Sequence, residues 1–99
     1  MINLRSKIAQ AVLGYFMLHE GAELYVNEIG RRLDLDDGNL SRKLKELERE
    51  GLFKSRDRGK ERYYSLNRTF PLLGEYKRII LKTVGIEKVL RDFLRGISG

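Results

Sequence analysis

Arg42, Lys45 and Arg49, together with Gly38, fall at helical spacing on one face of a segment whose opposite face carries Leu40, Leu44 and Leu47. The stretch from Ser41 to Phe53, SRKLKELEREGLF, therefore joins a basic amphipathic helix to a glycine stop and the start of a strand. Guanidinium and ammonium groups displayed in this way suit a polyanion, because each phosphate they neutralise releases condensed counterions. More cations follow at once, in Lys54, Arg56, Arg58, Lys60 and Arg62. A short helical pattern, Val26, Ile29 and Leu33, precedes the basic helix across the turn Asp34-Leu35-Asp36. Helix, turn, basic helix and basic hairpin together describe a DNA-reading module.

The charge distribution sharpens that expectation. The chain has 99 residues and a formal net charge of +6. Residues 1–50 hold eight Lys/Arg against nine Asp/Glu, whereas residues 51–70 hold six against two and residues 71–99 six against three. The excess is concentrated in the hairpin. A solvated basic face is the bland alternative, and charge alone does not separate the two. There is no cysteine, which excludes disulfides and thiolate metal sites. No apolar run approaches the roughly 20 residues of a membrane span, and neither end has the pattern of a signal peptide. A cytoplasmic protein is expected, folded as one small core without staples.

The elements that must position these cations can be read from periodicity and punctuation. Leu4, Ile8, Ala11, Val12, Tyr15, Phe16 and Leu18 predict a core-facing helix over 4–18, ended by His19-Glu20-Gly21. Glu23-Leu24-Tyr25 is long enough for one edge strand, and Val26 to Leu33 reads as a second helix with Glu28 in its first turn. Gly30 lowers helix propensity by about 1 kcal/mol relative to Ala, a cost that a closely crossing helix would explain. The basic helix is predicted over 36–50, capped by Asp36 and closed by Gly51 in the left-handed region. Leu52–Arg56 and Arg62–Leu66 follow as strands around a tip of Asp57 to Glu61, with Arg58 and Lys60 projecting from it. Of the tyrosine pair, one of Tyr63 and Tyr64 should face the core and the other the surface. Pro71 is placed to open a long helix whose residues Leu72, Leu73, Tyr76, Ile79, Ile80 and Val84 line one side, with a last helix at Ile86–Leu94.

This order, in a mainly α chain with a small β-hairpin, resembles the winged helix-turn-helix domain of the ArsR and MarR class of prokaryotic transcriptional regulators. Residues 25–66 carry the resemblance, and most specifically the run from Asp36 through Gly38, Asn39, Ser41, Arg42 and Glu48 to Gly51-Leu52. The resemblance implies that helix 36–50 lies in the major groove and that the wing, residues 53–66, touches the adjacent backbone or minor groove. It makes Asn39, Ser41, Arg42 and Lys45 the groove-facing residues and Arg56, Arg58, Lys60 and Arg62 the basic residues of the wing. Asn pairs bidentately with adenine and Arg with guanine, each worth about 1–3 kcal/mol of discrimination, so Asn39 and Arg42 become the base readers. Ser41, Lys45 and the wing cations become phosphate contacts that fix register. Residues 1–70 are then the DNA-binding unit, and residues 71–99 a helical extension expected to make a homodimer matched to palindromic double-stranded DNA.

A second resemblance, at Tyr64 to Leu94, is to winged-helix heads fused to small nucleotidyltransferase domains, which implies a partner of that type or a missing downstream domain. The competing function is a winged helix used as a protein-interaction module. An enzyme is not expected: no phosphate loop is present, and no serine has a supported histidine base. No cofactor or metal is expected either, because His19 is the chain's one histidine and a lone histidine after a helix is usually a solvated end residue. Arg31 and Arg32 fit an ordinary exposed face as well as a phosphate contact.

Overall fold

The computed structural model describes residues 5–84 together with Arg91. Within them the element order is α1 (Lys7–Leu18), β1 (Glu23–Tyr25), α2 (Val26–Leu33), α3 (Asp37–Arg49), β2 (Phe53–Arg58), β3 (Glu61–Leu66) and α4 (Leu73–Val84). The expected helix at Ile86–Leu94, and Leu4 at the start of the chain, lie outside the described residues. The three strands form one antiparallel sheet in the order β1-β3-β2, so β1 is an edge strand, as its length suggested. No helix among the described residues is long and apolar enough to cross a membrane.

Local chemistry sets the helix ends. The Ser6 hydroxyl accepts from the Ala9 amide and caps α1. The Asp36 carboxylate accepts from the Asn39 amide at 2.9 Å and caps α3. Tyr25 occupies the corresponding position of α2 and makes no side-chain cap. At the far end of α3, Gly51 takes φ +93°. Its amide donates to the Glu48 carbonyl and that of Leu52 to the Leu47 carbonyl, both at 3.0 Å, so two carbonyls of the last turn are satisfied by the reversing chain. The turn from α2 into α3 is made by Asp34 at φ 56°, with the Leu35 amide on the Gly30 carbonyl at 2.9 Å. Gly30 is where α3 comes near α2: a Cβ there would lie 2.4 Å from Asp37 Oδ1 and 3.1 Å from the Leu35 carbonyl oxygen.

The core differs from the expectation in two places. The sequence pattern gives α1 one core-facing side, yet Val12 through Met17 are all buried. The reason is position: α1 packs against α2, α3, β3 and α4, so residues 12–17 have no solvent face. The apolar residues in and just before α4 divide between core and surface. Ile80 is fully buried and Leu73 and Tyr76 pack on the core, but Leu72 and Ile79 remain 52% and 42% exposed. Pro71 does not open this helix. It lies in a turn closed by the Leu73 amide on the Phe70 carbonyl at 3.1 Å, and α4 begins two residues later. Leu40, Leu44 and Leu47 are completely buried and fasten α3 to α1, each burial worth about 1.5–3 kcal/mol.

The hairpin is longer and tighter than predicted. β2 and β3 pair from Phe53↔Leu66 to Arg58↔Glu61, which leaves Gly59, at φ +63°, and Lys60 as the turn. Arg58 is therefore in the ladder rather than at the tip, because the opposed charges of Asp57↔Arg62 and Arg58↔Glu61 extend the pairing outward.

Candidate nucleic-acid interface

Asn39, Arg42, Lys45 and Arg49 are exposed on α3, and Ser41 is half-buried beside them. The leucine stripe on the opposite side fixes their direction, since rotating α3 about its axis would expose three buried leucines. Arg42 donates to Asn39 Oδ1 one turn back, so the two residues expected to read bases act as a coupled pair. The Asn39 amide nitrogen and the remaining donors of the Arg42 fork are then held in one surface. Lys45, Arg49 and Lys60 have no ion-pair partner among the described residues. Lys43, by contrast, is held by Glu46 at 3.1 Å.

The strand register sorts the wing cations onto two faces. Side chains directly opposed in an antiparallel ladder point to the same side, and neighbours along a strand alternate. Arg56 and Arg58 therefore share the outer face with Tyr25, Tyr63 and Glu23, while Arg62 shares the α3-facing side with Ser55 and the buried Tyr64. Arg62 Nε donates to Ser55 Oγ at 3.0 Å, Ser55 Oγ donates to Glu48 Oε2 at 2.6 Å, and Arg62 lies 3.9 Å from the Glu48 carboxylate. This chain ties the wing to α3 and sets Arg62 in the crevice between them. Of the four wing cations, Arg62 is thus joined to the exposed face of α3 through Glu48, Lys60 stands at the turn, and Arg56 and Arg58 face away.

Those two arginines are engaged. Arg56 and Arg58 each donate an Nη2 to the same oxygen, Glu23 Oε1, at 2.6 and 2.9 Å. The Arg56 hydrogen bond holds the Glu23 carboxyl below the usual carboxylate range, and the same bond raises Arg56. Arg58 also lies over the Tyr63 ring at 4.7 Å, and Tyr63 meets Tyr25 edge-on at 5.5 Å. Arg31 donates to the Tyr25 hydroxyl at 3.3 Å and extends this network to α2. Sequence reasoning did not find Glu23, because the strand that bears it reaches β2 only across β3. Arg32 is structural, shared between Glu28 and the Tyr15 hydroxyl at 3.4 Å each.

His19 is not the solvated end residue expected. It is half-buried and stacked on Tyr15 with ring centroids 4.5 Å apart, and burial pushes its pKa below the ordinary histidine value. Among the described residues no three His, Asp or Glu side chains come together as a metal site.

Comparison with solved structures identifies the architecture as the winged helix-turn-helix fold. HlyU from Vibrio cholerae is 27% identical over 84% of this chain and 81% of its own, with a TM-score of 0.61. A fragment of Mb0332 from Mycobacterium bovis, described as a homodimeric winged helix-turn-helix DNA-binding domain and a possible ArsR-family transcriptional regulator, is 19% identical over 82% of this chain and 75% of its own, with a TM-score of 0.52. NolR from Sinorhizobium fredii is 19% identical over 86% of this chain and 98% of its own, also with a TM-score of 0.52. No protein-family model matches the sequence, and no curated protein matches it. The likeness to nucleotidyltransferase heads finds no counterpart among these three structures.

Proposed function

We propose that this chain is a non-catalytic, sequence-specific double-stranded DNA-binding protein of the cytoplasm that regulates transcription as a homodimer, acting as a repressor. The observation that carries the reading is the exposed row Asn39, Arg42, Lys45 and Arg49 on a helix whose opposite face is locked into the core, flanked by Lys60 and Arg62 of the wing. Its fold is shared with the M. bovis domain described as DNA-binding and homodimeric.

In this reading α3 enters the major groove and the wing follows the adjacent backbone or minor groove. Arg42 and Asn39 read base edges as a coupled pair, so one substitution disturbs both. Ser41, Lys45, Arg56, Arg58, Lys60 and Arg62 hold phosphates and set the register. Residues 71–99 form the dimerising extension, with Leu72 and Ile79 as its apolar surface. A two-fold axis would match half-sites about 34 Å apart.

The test is selection from a random duplex library at near-physiological salt, with Arg42→Ala beside the parent. The parent should recover a palindromic motif, and Arg42→Ala should lose about 1–3 kcal/mol on that motif while keeping most of its affinity for random duplex. Lys60→Ala should weaken both duplexes alike. Failure of the parent to recover any motif would favour the protein-interaction reading, and equal losses for Arg42→Ala on both duplexes would make Arg42 a phosphate contact.

A further inference from the structure

Arg56 and Arg58 project from alternate positions of β2 onto the outer sheet face, where Glu23 on β1 reaches across β3 to meet them. Two guanidinium groups converging on one anionic oxygen, at 2.6 and 2.9 Å, is the arrangement a DNA phosphate would impose on the same pair. The acid sits low, at 28% side-chain exposure, while the arginines are 61% and 56% exposed. The cations are therefore open to an incoming ligand, and the carboxylate is more sheltered beneath them. The Arg58 guanidinium also lies over the Tyr63 ring, which holds it in place when its donors change partner. The Tyr25–Tyr63 contact and the Arg31 hydrogen bond to Tyr25 fix that platform from the α2 side.

We infer that Glu23 is an internal stand-in for phosphate, which occupies the two outward wing arginines in the free protein and must be displaced before they contact DNA. The inference rests on the DNA-binding reading and adds to it a residue that restrains affinity. Two of the four wing cations are engaged by one acid: Glu23 sets the number of phosphate contacts available to the free protein at four rather than six among Ser41, Lys45, Arg56, Arg58, Lys60 and Arg62. Displacement replaces a carboxylate by a phosphate on the same donors, with no bond made or broken beyond hydrogen bonds. The exchange lowers the net gain from Arg56 and Arg58 and flattens the response of binding to salt.

The experiment compares parent, Glu23→Gln and Glu20→Gln on one random-sequence duplex over about 50–200 mM salt. Glu20→Gln is the charge control. Glu20 is likewise flanked by two cations, Lys77 at 2.9 Å and Arg68 at 4.0 Å, but belongs to the contact between the end of α1 and α4. Glutamine at position 23 keeps an acceptor and removes the charge, and a thermal melt of each variant establishes that it is folded. Glu23→Gln should bind about three- to tenfold more tightly than Glu20→Gln, the range expected for releasing two exposed ion pairs. Its slope of log affinity against log salt should be steeper by about one, for the single unit of positive charge that the substitution uncovers. Equal affinities and slopes for the two variants would overturn the inference and leave the DNA reading standing. Weaker binding by Glu23→Gln would also overturn it, and would make Glu23 a residue that positions the arginines for phosphate. A parent that retains no duplex at the lowest salt would overturn the DNA reading itself.

Discussion

Tyr64 on β3 is completely buried, and its hydroxyl oxygen is enclosed with no hydrogen-bond partner among the described residues. Burial accordingly raises its pKa, since the phenolate would be less well solvated still. A buried hydroxyl without a partner costs about 1–3 kcal/mol of lost hydration. Tyr64→Phe should therefore raise stability by about 1 kcal/mol, read as a higher midpoint in urea at unchanged slope. A lower midpoint would mean that the hydroxyl is bonded to a solvent molecule held in the core. The same scale separates the groove residues from the wing. Arg42 and Asn39 bond to each other within one helix, a pair that the three-residue spacing made legible. Glu23 and Arg56 meet across 33 residues, and no local spacing announces such a contact.

At the scale of elements, α3 was the most legible part of the chain because its signals agree: Asp36 caps it, a leucine stripe runs along it, and Gly51 ends it. Gly51 also limits what can replace it. A Cβ at φ +93° is strained, and it would lie 3.2 Å from two carbons of the Phe70 ring. Gly51→Ala should cost about 1–2 kcal/mol from the left-handed backbone alone, with crowding of Phe70 added, measured by urea unfolding. A cost near zero would mean that the chain leaves α3 by another route. The wing was less legible. Alternation predicted two strands but not their register, and register decides that Arg62 faces α3 while Arg56 and Arg58 face away. The length of the tip was misread because charged residues are weak strand formers alone and become favourable when opposed, as Asp57 is to Arg62. Helix α1 was found but its burial was understated, because periodicity describes one packed face and α1 is enclosed by four neighbours. The position of Pro71 fits both a first helical turn and the bend before it, and the Phe70 carbonyl selects the bend.

At the scale of the whole molecule, the exposed apolar side chains bear on assembly. Leu72, just before α4, and Ile79 within it are 52% and 42% exposed, and Leu18 at the end of α1 36%. Leu72, Tyr76 and Ile79 recur at helical spacing, so the exposed residues flank a tyrosine that packs on the core, and the surface is continuous with it. The proposed homodimer would bury this surface, and each large aliphatic chain removed from water would contribute about 1.5–3 kcal/mol at most. Because Leu72 and Ile79 are already solvated in the single chain, a charge placed there leaves the core intact. Leu72→Glu with Ile79→Glu should thus preserve the thermal melt at low concentration while shifting sedimentation from dimer to monomer. It should also weaken binding to a palindromic duplex far more than to an isolated half-site, because a two-fold pair loses the effective concentration that couples its second head to the first. A dimer that survives both substitutions would move the interface off this face of α4, and equal losses on palindrome and half-site would detach dimerisation from DNA recognition.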